Sequence, residues 1–245
     1  MISARQETVP DVIDVYISDN VKSYHMQPFN KSKIRAIIFD LDGTLIDSMD
    51  IYVRSVNHIL SKFNMQVTAR DIMHLAGSPA EVLYSFFLKK AGVYDPSRKE
   101  EFKKEFEKKF TEVSKAIISF PKGSAKCLFE LKKKKYLLAV GTGASEKALN
   151  GMIPKKTLSL FGALVTDDDV SRSKPDPETF LKCSKKLSMP PENCVVVGDG
   201  KNDFLAAGQA GMKFIFIKNA HNRDFNQLEK CDYVIHNILE LLDIF

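Results

Sequence analysis

Six short apolar runs, each continuous rather than alternating, set the tightest limit on how this chain can fold. They occupy residues 34–39, 136–140, 163–165, 194–197, 214–217 and 233–235. A sheet with one wet face reads as strict alternation. Unbroken apolarity of strand length marks strands covered on both faces, the condition of a parallel sheet. Helical spacing fills the intervals at residues 124–133, 145–152, 177–187, 203–210 and 224–229. Strands alternating with helices predict βαβ units, and so an α/β fold with a doubly wound, Rossmann-like parallel sheet.

One interval breaks the rhythm. Between Thr44 and Phe120 no strand-length run stands out. Ile51, Val53, Val56, Ile59, Leu60 and Phe63 recur at helical spacing instead, as do Val82, Leu83, Phe86 and Phe87. Phe102, Phe106 and Phe110 fall at i, i+4 and i+8 among Lys and Glu, which is one apolar stripe on an amphipathic helix. Residues 48–119 are therefore expected to form an inserted α-helical domain, with the sheet domain built from 33–47 and 120–245. Residues 1–32 stand apart. Their β-prone run at 12–17 reads either as a tail on the core or as a pairing strand or interaction arm.

Bulk properties narrow the function. A net charge of +5 suits an anionic substrate without calling for nucleic acid, and no RNA-binding motif is present. The lysines at 132–135 read as the solvated end of a helix. Cys127, Cys183, Cys194 and Cys231 form no C-x-x-C pair, which predicts free thiols in a reducing compartment. The first thirty residues lack a leader-like apolar stretch, and no run has the length of a membrane span. The expectation is a cytoplasmic protein, monomeric or dimeric.

Four segments carry the chemistry: Phe39-Asp40-Leu41-Asp42-Gly43-Thr44, Val140-Gly141-Thr142-Gly143, Ser173-Lys174-Pro175-Asp176-Pro177 and Val197-Gly198-Asp199-Gly200-Lys201-Asn202-Asp203. Each follows an apolar run directly or after a short loop. A parallel sheet would place all four at the carboxyl ends of its strands, where open α/β sheets bind ligands. A carboxylate at position 40 would sit at the sheet edge, able to attack phosphorus. Asp42 could then give a proton to the leaving alcohol and take one from water. The Thr142 hydroxyl and the N–H groups around Gly143 can donate to phosphate oxygens. Lys174, stiffened by the prolines after it, can neutralise nucleophile and phosphoryl group. Asp199 and Asp203 offer the hard oxygens that suit Mg²⁺.

In order and spacing these segments resemble the haloacid dehalogenase superfamily, in particular its phosphatases of the phosphoglycolate phosphatase and β-phosphoglucomutase type. The resemblance covers roughly residues 33–245. It implies a Mg²⁺-dependent phosphatase acting on a small phosphorylated metabolite through an aspartyl-phosphate. The metal ligands it implies are Asp40, the main-chain carbonyl of Asp42, and Asp199, with Asp203 behind them and paired with Lys174. The dehalogenase and phosphonate-cleaving branches lack Asp at position 42. The family's usual Asn after Thr142 is replaced by Gly143. A mutase-type His ten residues after the second Asp is replaced by Tyr52, which weakens a phosphosugar-mutase reading. His58 and His74 are expected to be surface or core residues. The helical insert corresponds to the family's cap, in which Gly77 and Ser78 are candidate substrate contacts. The rival outside enzymes is an idle binding protein that uses the cap or the N-terminal arm.

Overall fold

The computed structural model describes residues 30–73, 75, 80–117, 123–222 and 225–245. The run at 12–17, His74, Gly77 and Ser78 lie outside the described residues. Six strands form one sheet: β1 (Ala36–Phe39), β2 (Leu137–Gly141), β3 (Ala163–Val165), β4 (Cys194–Gly198), β5 (Lys213–Ile217) and β6 (Tyr233–Ile235). Their order is β3-β2-β1-β4-β5-β6 and every pairing is parallel. This is the doubly wound arrangement that the apolar runs predict.

The continuity of those runs has a direct cause. Along β1, Ile37 and Phe39 belong to the core on one face of the sheet, and Ala36 and Ile38 to the core on the other. All four are fully buried. Period-two alternation places successive side chains on opposite faces, so a strand covered twice needs apolar residues at every position. Phe180, Phe204 and Phe214 fill the second core. Full burial of each such side chain contributes about 1.5–3 kcal/mol.

Between β1 and β2 the described chain is helical: α1 (Met49–Leu60), α2 (Ala69–Met73), α3 (Ala80–Lys90) and α4 (Pro96–Ile117), followed by α5 (Ser124–Lys133). Phe102, Phe106 and Phe110 are buried along α4, as their spacing predicts. They face α1, where Tyr52 meets Phe110 with ring centroids 4.9 Å apart. The insert and one face of the sheet share a single apolar cluster. Past β2, α6 (Glu146–Met152) carries α4 above it, with Glu107 and Lys147 3.8 Å apart across that contact. The insert therefore sits over the carboxyl edge of β2. The remaining helices are α7 (Lys155–Leu158), α8 (Glu178–Lys186), α9 (Lys201–Gln209) and α10 (Leu241–Ile244).

The structure departs from the sequence reading in places. No helix forms over the described part of 224–229, which has only a 3-10 turn at Leu228–Lys230. Phe225 instead stacks on Phe216, with centroids 4.4 Å apart, and meets Phe204 edge-on at 5.9 Å. The ring is half-buried against the second core, and the chain that carries it runs as a loop. Helix α9 begins at Lys201, two residues early, which makes Asp203 its third residue. Lysines 132–135 are exposed and all four cysteines are free thiols. Among the described residues no helix is long and apolar enough to cross a membrane.

Candidate active site

Strand register assembles the site. Phe39 pairs with Val140 on one side and Val197 on the other. The next residue, Asp40, therefore leaves the sheet between Gly141 and Gly198, with its N–H donating to Val197 O at 2.9 Å. Thr142 and Asp199 follow one step later. The strand order reverses between β1 and β4, and a crevice opens at such a reversal.

Lys174 comes from the loop after β3 and is buried among these ends, 2 % exposed. Its ammonium donates to Asp40 Oδ1 at 2.5 Å, to Asp203 Oδ1 at 2.7 Å and to Gly141 O at 3.3 Å. An ammonium has three protons, so all three are used. It also lies 5.3 Å from the centre of the Phe180 ring. Asp203 closes the set from α9: its Oδ2 accepts from Gly200 N at 3.1 Å, which caps that helix.

Oxygens of Asp40, Asp199 and Asp203 lie within 4.8 Å of one another. With Asp42, four carboxylates face one ammonium. Two like charges 4.8 Å apart repel by about 3.5 kcal/mol at an effective dielectric of 20. Burial, then repulsion from Asp203, raises Asp40 well above the usual carboxylate range despite the opposing pull of Lys174. Asp199 is pushed up to about 7, chiefly by burial and then by Asp203. Asp42 is raised by burial, and its Oδ1 is buried with no hydrogen-bond partner. Burial alone would lower Lys174, but Asp203 and Asp40 outweigh it and raise its pKa, so it stays charged. A site with this excess of negative charge and an orphaned carboxylate oxygen is chemically suited to a small divalent cation.

Two glycines are dictated by this crowding. Gly43 has φ +81, and a Cβ there would fall 2.1 Å from Asp199 Oδ2. Gly198 has no positive φ, and there the demand is for space alone: a Cβ would meet the Asp203 Cβ at 2.7 Å. Thr142 is buried and its Oγ1 accepts from Ala144 N at 3.0 Å. That leaves its O–H proton for an anion in the crevice, next to the partly exposed Gly143.

The structure thus brings together Asp40, Asp42, Thr142, Gly143, Lys174, Asp199 and Asp203 at one sheet edge. Gly77 and Ser78 are outside the described residues, and His58 is exposed on α1. Three further residues join the site. Tyr52 on α1 neighbours Asp42, and burial followed by the charges of Asp42 and Asp40 raises its phenol well above the usual value. Its position ten residues after Asp42 was the available signal. Asn219 and Asn222, in the loop after β5, hydrogen-bond to Asp199. An N-x-x-N after a strand reads as an ordinary turn, and only the fold shows what it touches.

Known proteins share this architecture. A pyrophosphatase, PpaX, from Bacillus mycoides (strain KBAB4) is 28% identical over 215 residues, covering 86% of this chain and 97% of that protein. The crystal structure of a predicted phosphoglycolate phosphatase from Haemophilus somnus 129PT superposes with a TM-score of 0.77 at 26% identity, covering 86% of this chain and 98% of that one. A β-phosphoglucomutase from Clostridium difficile shares the fold, with a TM-score of 0.73 at 20% identity over 85% of this chain and 93% of its own. The family model described as haloacid dehalogenase-like hydrolase matches residues 37–217, from β1 to the end of β5 with the helices between β1 and β2. The chain belongs to the haloacid dehalogenase-like hydrolases.

Proposed function

We propose that this protein is a Mg²⁺-dependent phosphatase that hydrolyses a small phosphomonoester through a phosphate ester of Asp40. The observation that carries this reading is the buried Asp40–Lys174–Asp203 arrangement, with Asp199 beside it at the end of β4. Lys174 fixes the Asp40 carboxylate and adds positive charge where the phosphoryl group would sit. Asp40 attacks phosphorus, and the bond from phosphorus to the leaving oxygen breaks. Asp42, raised by burial and so disposed to carry a proton, delivers it to that oxygen. Asp42 then takes a proton from water, the water oxygen attacks phosphorus, and the acyl phosphate bond breaks to regenerate Asp40. Thr142 and the N–H groups near Gly143 bind phosphate oxygens. Asp40, Asp199 and the main-chain carbonyl of Asp42 would hold Mg²⁺, which when bound offsets charge on the phosphoryl oxygens. Asp203 has both oxygens engaged, by Lys174 and Gly200, and so acts through Lys174.

The helical insert, which we place at residues 48–119, covers the leaving-group side and would set substrate choice, with Gly77 and Ser78 as contacts. The pyrophosphatase relative supports a second reading, in which the leaving group is itself a phosphate. The same core serves both reactions. The test is Asp40→Asn with a panel of phosphorylated metabolites that includes pyrophosphate, in Mg²⁺. Wild type should hydrolyse at least one compound, and Asp40→Asn should lose turnover and leave no covalent phosphate after acid quench. Asp42→Asn should lose about a hundred- to ten-thousand-fold. Substantial hydrolysis by Asp40→Asn would rule out the covalent route.

A further inference from the structure

We propose that Asn219, backed by Asn222, is a positioning residue that sets the carboxylate of Asp199 against the loop bearing Asp40 and Asp42. The inference rests on the metal-dependent reading above and assigns a role to a loop outside the four motif segments.

The side-chain amide of Asn219 is fully committed. Its Nδ2 donates to Asp199 Oδ2 at 2.8 Å and to Gly43 O at 3.1 Å. Its Oδ1 accepts from His221 N at 2.8 Å and from Asn222 N at 3.1 Å. An amide nitrogen has two protons and its oxygen two lone pairs, so no capacity is left over. The orientation is also unique. Flipping the amide would set its oxygen against two acceptors and its N–H groups against two donors.

Asn222 grips the same aspartate from behind. Its Nδ2 donates to Asp199 O at 3.0 Å and to Ile217 O at 2.9 Å, and its Oδ1 accepts from Asn219 N at 2.9 Å. Asp199 is thus held at its side chain by one asparagine and at its main chain by another. Both sit on a turn anchored to the end of β5, which pairs directly with β4.

Turn formation explains only half of these bonds. Asn commonly closes a turn by accepting from N–H groups two and three residues on, and the Oδ1 bonds of Asn219 do this. Its Nδ2 bonds contribute nothing to the turn. They reach away from it, to the two loops whose separation decides where Asp199 stands relative to Asp40. Gly43 and Asp199 are already so close that a Cβ on Gly43 could not fit, and one nitrogen donates to both. Residues that orient a ligand carboxylate in this way typically change metal affinity ten- to a hundredfold when lost.

The experiment separates the donor from the turn. Serine can also accept from N–H groups two and three residues on, but it is too short to reach Asp199. Asn219→Ser should therefore keep the turn and lose the bridge. Binding of Mn²⁺ to the substrate-free, full-length protein is measured by electron paramagnetic resonance, with the melting temperature of each metal-free protein and the Mg²⁺ dependence of hydrolysis alongside. The expected result is Mn²⁺ affinity weaker by about ten- to a hundredfold, a matching rise in the Mg²⁺ concentration for half-maximal rate, and a melting temperature within a few degrees of wild type. Should Asn219→Ser not fold, Asn222→Ser, which releases the main-chain grip on Asp199 together with the bonds to Ile217 O and Asn219 N but leaves the Asn219 side chain in place, should weaken Mn²⁺ binding about three- to tenfold. Mn²⁺ affinity within twofold of wild type in the folded variant overturns the bridge. A wild type that binds no Mn²⁺ overturns the metal reading itself, and this inference with it.

Discussion

Replacing Asp199 by Asn should make the metal-free protein more stable while destroying its response to Mg²⁺. The side chains are nearly isosteric, and Asn keeps a carbonyl oxygen for the bond from Asn219 Nδ2. What is lost is a charge that the fold resists. Asp199 is pushed from an ordinary 3.8 to about 7, by burial first and by Asp203 second. At 1.36 kcal/mol per pH unit, holding it ionised in the folded state costs at most about 4 kcal/mol above pH 7. The residue is partly solvated and its neighbours relax, so a gain of about 1–3 kcal/mol is expected for the variant. The sign follows from proton counting. Between pH 4 and 7 folded wild type binds more protons at this site than the unfolded chain, so its stability falls as pH rises and then levels off. The advantage of Asp199→Asn should be absent near pH 4, grow to pH 7 and hold constant beyond. Urea unfolding in chelator at several pH values measures it. Added Mg²⁺ should stabilise wild type and leave Asp199→Asn unchanged. A variant less stable than wild type at pH 8 without metal, or a difference independent of pH, would refute the argument.

Other outcomes follow from the same geometry. Lys174→Met removes the ammonium that Asp40 and Asp203 share in the buried carboxylate cluster. It should cost about 3–5 kcal/mol at pH 8, less at pH 5 where the raised carboxylates can protonate, and eliminate turnover. Denaturant unfolding at the two pH values checks it, and equal losses at both would count against the cluster. Gly43→Ala forces a side chain into a left-handed backbone and against Asp199. It should lose about 1–2 kcal/mol of stability and at least tenfold in Mg²⁺ affinity, read by thermal melts with and without metal. Chelator should abolish hydrolysis, Mg²⁺ restore it, and Ca²⁺ inhibit through its looser coordination; activity unaffected by chelator would overturn the assignment.

Much of this protein is determined by local sequence. Both faces of β1 are covered, so positions 36–39 must all be apolar, and that demand is visible without coordinates. The stripe of Phe102, Phe106 and Phe110 announces a helix and its buried side in the same way. Asp40, Asp42, Thr142, Lys174, Asp199 and Asp203 could be named because each stands at or near the end of an apolar run, and parallel strands end at one edge. Tertiary structure decided the rest, through contacts between segments far apart in the chain. The family resemblance set Lys174 beside Asp40 and Asp203, but no sequence mark shows that its third proton goes to Gly141 O. Phe225 lies in a loop where the spacing predicts a helix, with its ring stacked on Phe216 of β5. Asn219 and Asn222 read as turn formers, and their acceptor oxygens do form a turn. Their donor nitrogens point at Asp199, some twenty residues earlier in the chain, and that choice exists only once β5 lies beside β4. Periodicity records which side of an element is buried. It carries no record of which polar atoms meet when two loops close on one another.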